Sequence, residues 1–567
     1  MRVQLFSSAA TIGAALAVSI GGGGGLATSD DGPSKTAGAG LSALMGEEVI
    51  RPYEAARLAK QASFGPSPAL ISTIIAKKSA AAWLDEQFGL SSSTYADLAT
   101  KPVPGNYCVP LTGVSLSNCN WENFSAVPVQ MRFYTNAVNK DDQLRQRVAF
   151  ALSQIVVASE TEVHSAAGLA TFNQILLGNA FGNYRDILKA VTLNPYMGDY
   201  LDMADSNKAQ PNENYARELM QLFSVGPVLL NPDGTPQTDN TGATIPTYSN
   251  TDVKEVARAL TGWTYARFND PSLIEYHNRD FSKPMEMYSA RYDTGAKTFL
   301  GKTVPAGAAQ QANVDAVVDA VFNHPNTGPY ICKRLIQQLT IANPTPAYVG
   351  RVAAVFADNG SGVRGDLKAV VRAIYLDSEA RTVSQLPGKV KEPVLLATSL
   401  ARAIGLTTDG YAFTLRDTAM GQAPFRAPSV FNFYPYEFPM SQGAGLVSPV
   451  SKLMTPPTIM ARHNFIYDWT ISGDATRSEY QRQSTISYAI GTTPDWTTWE
   501  SNGTDDGKTI DRINLVMLNG TMTSGQRQSL LTAMAAIKNT DPALQARKRA
   551  QTALYIVASS PLFQVDR

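Results

Sequence analysis

The stretch Asn212 to Gly226, NENYARELMQLFSVG, gathers two glutamates, an arginine and two asparagines. At 100° per residue, Tyr215, Ala216, Leu219, Met220, Leu222 and Phe223 fall on one half of a helix. Glu213, Asn214, Arg217, Glu218, Gln221 and Ser224 fall on the other. Any amphipathic helix divides this way, and Glu213 with Arg217 at i,i+4 is an ordinary pair worth ~0.3–0.5 kcal/mol. The polar half nevertheless lacks lysine and consists of short, planar hydrogen-bonding groups, which suit a ligand or a buried network better than bulk solvent. Just upstream, MGDYLDMADSNKAQP supplies Asp199, Asp202 and Asp205 in a segment that must fold back near the helix start.

Carboxylates in such a setting can do acid/base chemistry. Glu213 and Glu218 stand about 140° apart on the helix, so a working pair needs a second carboxylate from elsewhere. Glu218 borders the apolar half, where desolvation raises a carboxyl pKa, and is the expected general acid. Asp202 is the expected base or nucleophile, with Arg217 and Asn214 positioning a substrate and Glu213 completing the candidate set. The competing reading is a solvated or internally networked face with no chemistry.

A second group is aromatic. In FNFYPYEFP, Phe431, Phe433, Tyr434 and Tyr436 alternate with small or polar residues and are followed by prolines that stiffen the loop. Such rings either stack on sugars or plug a helical core. Other chemistries find no support. The four histidines, His164, His277, His324 and His463, are isolated in sequence, without metal-ligand spacing. There is no GxSxG elbow, no GxxxxGK[ST] loop and no GxGxxG after a strand, so neither cofactor nor metal is called for. Asp199, Asp202, Asp205 and Asn207 offer oxygen ligands for a cation such as calcium, but the D-x-D-x-D-G loop pattern is missing.

The elements that must position these residues are helices. DDQLRQRVAFALSQIVVAS puts Leu144, Val148, Leu152, Ile155 and Val156 on one stripe, and the pattern repeats around 314–322, 329–339, 348–356 and 367–376. Pro211 and Gly226-Pro227 bracket the first stretch, and Asp252 precedes VKEVARAL. The fold class is therefore mainly α, a large multi-helix body spanning 46–567. Loop-rich stretches at 227–305, with a hairpin expected, and at 409–457 are the places where subdomains would divide.

Composition bounds the partners. Lys+Arg and Asp+Glu are both 48, and 17% of the 567 residues are charged, which is not the basic footprint of a nucleic-acid binder. The N-terminus reads as an export signal over 1–27: Arg2, a largely apolar run from Ala9 to Ile20, then a small-residue exit. A Gly/Ser/Ala-rich disordered spacer follows over 28–45. The run is too short to span a bilayer, and no later segment could, so the mature chain is expected in the periplasm or medium. Cys108 and Cys119 enclose CVPLTGVSLSNC; a disulfide there is worth ~3 kcal/mol and suits an exported protein, the alternative being two unpaired thiols in a surface loop. Cys332 lies on a helical pattern as a small buried residue.

ARLAKQASFGPS, LRQRVAFALSQIVVAS, GNYRDILKAVTLNPYMGDYLDM, NENYARELMQLFSVG, DVKEVARALTGW, GAKTFLG, GDLKAVVRAIYLDSEAR, GQAPFRAPSVFNFY and SSPLFQVDR resemble, in that order, the motifs of the bacterial family catalogued as domain of unknown function 1800. The resemblance runs from about residue 50 to the end and implies an exported, mostly helical protein without an established reaction. It also implies a partner, since genes of this family often neighbour those of an exported family that looks like alkaline phosphatases and sulfatases. Many members carry His-Asp before the GAKTFLG motif, where this chain has Tyr292-Asp293. Any role of that histidine is either absent here or filled by Tyr292 or His277. The first expectation is a helical envelope scaffold binding a glycan or an exported partner. The alternative is a secreted, carboxylate-dependent hydrolase or lyase acting on a glycan or other polymer.

Overall fold

The computed structural model describes residues 49–383, 387–441, 445–472, 490–503 and 505–566. The expected export signal and spacer lie outside them. Among the described residues there are 24 helices and only two-stranded antiparallel pairings, so the body is mainly α. No helix among the described residues is long and apolar enough to cross a membrane.

Local sequence explains where the helices start. Ser67, Ser79, Ser165, Asn183, Asn194 and Thr345 each accept a backbone N–H of the first turn that would otherwise lack a partner. Proline sits in the first turn of Pro195–Tyr200, Pro346–Ala357 and Pro393–Ile404, where its missing N–H costs nothing. Asp252 is not the boundary of its helix. Ser249 caps Asn250–Ala259, and the Asp252 carboxylate reaches back to the Ser249 N–H at 2.8 Å as the other half of a capping box.

The helix of the 212–226 stretch is shorter than its flanking prolines suggest, running over Asn214–Gln221. Asn212 folds the entry, its Oδ1 accepting the Asn214 N–H at 2.9 Å. The exit is set by Gly226 at φ +73°, where a Cβ would lie 2.3 Å from the Tyr330 ring. Only glycine tolerates both the left-handed backbone and that approach.

The expected hairpin in 227–305 is Lys297–Phe299 paired with Lys302–Val304. Leu300 and Gly301, both at positive φ, form its two-residue turn. A second pairing, Lys389–Val390 with Val565–Asp566, fastens the C-terminal end to the body. One cluster of buried side chains draws residues from Ile50 through Phe563, and the 227–305 stretch joins it through Trp263, Tyr265, Phe281 and Phe299.

Cys108 and Cys119 form a disulfide with Cα atoms 5.8 Å apart. The enclosed segment is not all loop: Cys119 sits in the helix Gly113–Phe124. Cys332 is free and buried, which pushes its thiol pKa well up.

Candidate functional site

Two arrangements meet at the short helix Pro195–Tyr200: the polar face expected from the sequence, and an open cleft. Beyond the helix the backbone turns left-handed at Asp202 (φ 55°) and Asp205 (φ 64°), a region aspartate enters more readily than most residues. Asp205 is tied on both sides, its N–H donating to the Trp263 carbonyl at 2.7 Å and its carboxylate accepting from Thr264 Oγ1 at 2.7 Å and from Arg291. The chain thus folds back as expected, and Asp202 Oδ2 accepts from Asn214 Nδ2 at 2.7 Å. One helical turn on, Arg217 pairs with Glu213 at 2.9 Å, both partly exposed.

Glu218 belongs to neither pair. Its Oε2 is buried without a hydrogen-bond partner, and burial raises its pKa while the Arg217 charge pulls it partly back. Burial also raises the phenol of Tyr200, with the charges of Glu162 and Glu218 adding to it. Tyr200 is therefore within electrostatic reach of a cleft residue, Glu162, and of the polar helix.

The cleft has a volume of about 540 Å³, within the ~300–1,000 Å³ usual for small-molecule sites. The segments 97–103, 122–129, 162–167 and 268–281 wall it. Phe124, Phe268, Tyr276 and Phe281 supply its rings. Gly168 lets the helix Ala166–Gly178 close onto this aromatic wall, since a Cβ there would lie 2.6 Å from the Tyr196 ring and 2.9 Å from that of Phe281. Arg279 is gripped between Tyr265 and Tyr276, its guanidinium carbon 4.1 and 5.1 Å from the two ring centres, and Nη1 donates to Asp199 Oδ1 at 3.0 Å. The same oxygen accepts from the Tyr265 hydroxyl at 2.5 Å. His277 stacks on Phe124 with ring centres 6.1 Å apart, and its Nδ1 is buried without a partner. His164 lies on another wall, 3.6 Å from Glu160. Two charge pairs sit at the rim, where Asp97 takes both forks of Arg132 at 2.7 Å and Lys101 pairs with Asp270, and the carboxylates of Glu122 and Glu162 also line the cleft.

The other expected ligand residues fall elsewhere. Tyr292 is interior: its hydroxyl donates to the Ala308 carbonyl at 2.8 Å and accepts from Asn313, and it takes no part in the cleft. Tyr434 is buried and Tyr436 half-buried, each with its hydroxyl turned to an interior acceptor. Tyr434 is 3% exposed and its hydroxyl donates to Glu392 at 2.9 Å. Tyr436 donates to the Gln154 carbonyl at 3.2 Å, and the Arg334 guanidinium lies 5.1 Å from its ring centre. These two tyrosines plug the body, because their hydroxyls are needed by buried acceptors. Phe433 is half-buried, and Phe431, 56% exposed, is the ring of this loop most open to solvent.

Of the sequence candidates, His277 alone lines the cleft. Phe124, Tyr276 and Arg279 are not among those candidates. The signal for the last two was the run EYHNRDF, dense in aromatic and charged groups, inside a stretch read only as loop. Among the described residues, no group of three or more His, Cys, Asp or Glu is placed to hold a metal ion.

Neither a curated protein nor a solved structure matches the chain. A family model does match, over residues 57–565. The chain therefore belongs to the family described as "Protein of unknown function (DUF1800)".

Proposed function

We propose that this is an exported envelope protein, a helical scaffold whose cleft binds a segment of an uncharged glycan. The observation that carries the reading is the lining of the cleft: four aromatic rings, with the ion pairs Asp97–Arg132 and Lys101–Asp270 at its rim. Aromatic faces stack on the C–H faces of sugars, and matched charges neither repel nor specifically attract an ion. Arg279, fixed by Asp199 and two tyrosine rings, supplies a preorganised donor wall. Export is supported by the N-terminal pattern and by the Cys108–Cys119 bridge, since such bridges persist in oxidising compartments. The family resemblance makes an exported phosphatase- or sulfatase-like protein the partner to seek. The test is oligosaccharide binding to the purified protein, with the cleft rings altered one at a time.

One observation favours the catalytic reading as second choice. Glu218 is the single residue of its helix face with a desolvated, unpartnered carboxyl oxygen and a raised pKa, the condition of a general acid. Asp202, already bonded to Asn214, would be its base or nucleophile. In that case the chain is a hydrolase or lyase on an extracellular polymer, and bound oligosaccharide is returned shortened.

A further inference from the structure

A small cavity that shares no lining residue with the cleft holds an unusual concentration of positive charge. It offers about 30 Å³, and since one water needs ~10–15 Å³ on this measure, two or three waters or one oxyanion fill it. Arg57, Lys60, Arg147 and Lys389 line it, against a single carboxylate, Asp566. That carboxylate is already committed, lying 2.6 Å from Lys391 Nζ and 3.4 Å from Lys60 Nζ.

The decisive side chain is Arg147, 1% exposed and projecting from the helix Gln143–Ser153. One nitrogen, Nη2, donates to the Gln338 carbonyl at 2.5 Å. Its Nε and Nη1 are buried with no hydrogen-bond partner. Lys389 Nζ converges on the same Gln338 carbonyl at 2.6 Å, so two cations share one neutral acceptor. Desolvation pushes both Lys389 and Lys60 down to about 8, because their neighbours do not offset the loss of water around these charges. A buried guanidinium normally has its N–H groups satisfied, and leaving two of its nitrogens without an acceptor is strongly unfavourable.

We propose that this cavity binds one small oxyanion of the phosphate or sulfate class, held by the free N–H groups of Arg147 with Lys389 beside it. The forked guanidinium fits two oxygens of such a group, whereas a halide uses only its charge. The site lies where the C-terminal strand Val565–Asp566 meets Lys389–Val390, so a bound anion ties the chain end to the core helices. This is independent of the cleft and of any glycan.

The test is thermal unfolding of the full-length protein at fixed ionic strength while sodium chloride is exchanged for sodium sulfate or phosphate. Binding to the native state raises Tm along a curve that levels off, whereas general salting-out continues to rise with concentration. The site predicts a saturable rise for both oxyanions and an affinity at least tenfold weaker in Arg147→Lys, which keeps the charge and removes the fork. Should Arg147→Lys fail to fold, Lys389→Met carries the same comparison. Crystals grown with selenate should show its anomalous peak within hydrogen-bond distance of Arg147 Nη1. A rise that never saturates, equal effects of chloride and sulfate, or water alone at Arg147 in the selenate crystals overturns the proposal.

Discussion

Arg279 Nη1 lies 3.0 Å from Asp199 Oδ1, although the two residues are 80 positions apart. The pair joins the helix that leads into the polar face to the loop that walls the cleft, and the rings of Tyr265 and Tyr276 lie 4.1 and 5.1 Å from the guanidinium carbon. Arg279→Lys keeps the charge but loses both ring contacts, each worth ~0.5–2 kcal/mol. Urea unfolding should show a loss of about 1–4 kcal/mol on these terms. Wild-type stability in the Arg279→Lys variant would mean that the rings do not grip the guanidinium.

Asp566 is expected to be the most sensitive carboxylate near the C-terminal end. Lys391 and Lys60 hold its carboxyl down to about 2 against the burial that would raise it. Removing the charge in Asp566→Asn leaves two buried ammonium groups unpaired, a change that typically costs 3–5 kcal/mol. Arg217→Ala removes only the partly exposed partner of Glu213, where ~0.5 kcal/mol is expected. Chemical denaturation of the two variants should separate them by several-fold in stability loss; equal losses would contradict the burial argument.

Asp417 gives stability an opposite pH dependence. Burial raises its carboxyl to about 7, while the Thr418 N–H and the Tyr134 hydroxyl pull the other way. The folded state therefore holds a proton that the unfolded chain, near 3.9, has released. Between about pH 4 and 7 the native state binds more protons than the unfolded one, so this contribution to stability falls as pH rises. Asp417→Asn should leave stability at pH 4 nearly unchanged, raise it by on the order of 1–3 kcal/mol at pH 8, and flatten the slope between. An unchanged pH profile in the variant would refute the assignment.

How far the sequence carried differs from element to element. The 214–221 helix was legible because its apolar and polar halves separate cleanly, yet its length was not, because Asn212 and Gly226 set the ends through an Asx-type turn and a contact with Tyr330. The Cys108–Cys119 bridge could be read from spacing and context, since a Gly- and Pro-containing segment between cysteines 11 positions apart closes easily. Tyr434 and Tyr436 could not be assigned, because a proline-rich aromatic loop serves a cleft and a plug equally well. Their hydroxyl partners, Glu392 and Gln154, are 42 and 282 positions away. The cleft was invisible for the same reason: it is made where segments around residues 100, 125, 165 and 275 converge, and no local pattern encodes that meeting.

The thiols provide a further check. Cys332 is buried and the other two cysteines are bridged, so the native, unreduced protein should take up no thiol label. Unfolding without reductant should expose one reactive thiol, and unfolding after reduction three. Replacing both bridged cysteines with serine should cost ~3 kcal/mol by the loop-entropy argument. Labelling of Cys108 or Cys119 before reduction would contradict the bridge.

The glycan reading is tested most directly by calorimetric titration of neutral oligosaccharides into the purified protein, with analysis of the sugar recovered. Wild type should bind and return the oligosaccharide at its original length. Phe268→Ala and Tyr276→Ala should each weaken binding by about tenfold, at ~1 kcal/mol or more per lost ring contact. Glu218→Gln should bind as wild type. Binding that survives loss of both rings, or no binding of any neutral oligosaccharide at millimolar concentration, would contradict the cleft as the site, and shortened sugar would hand the account to Glu218.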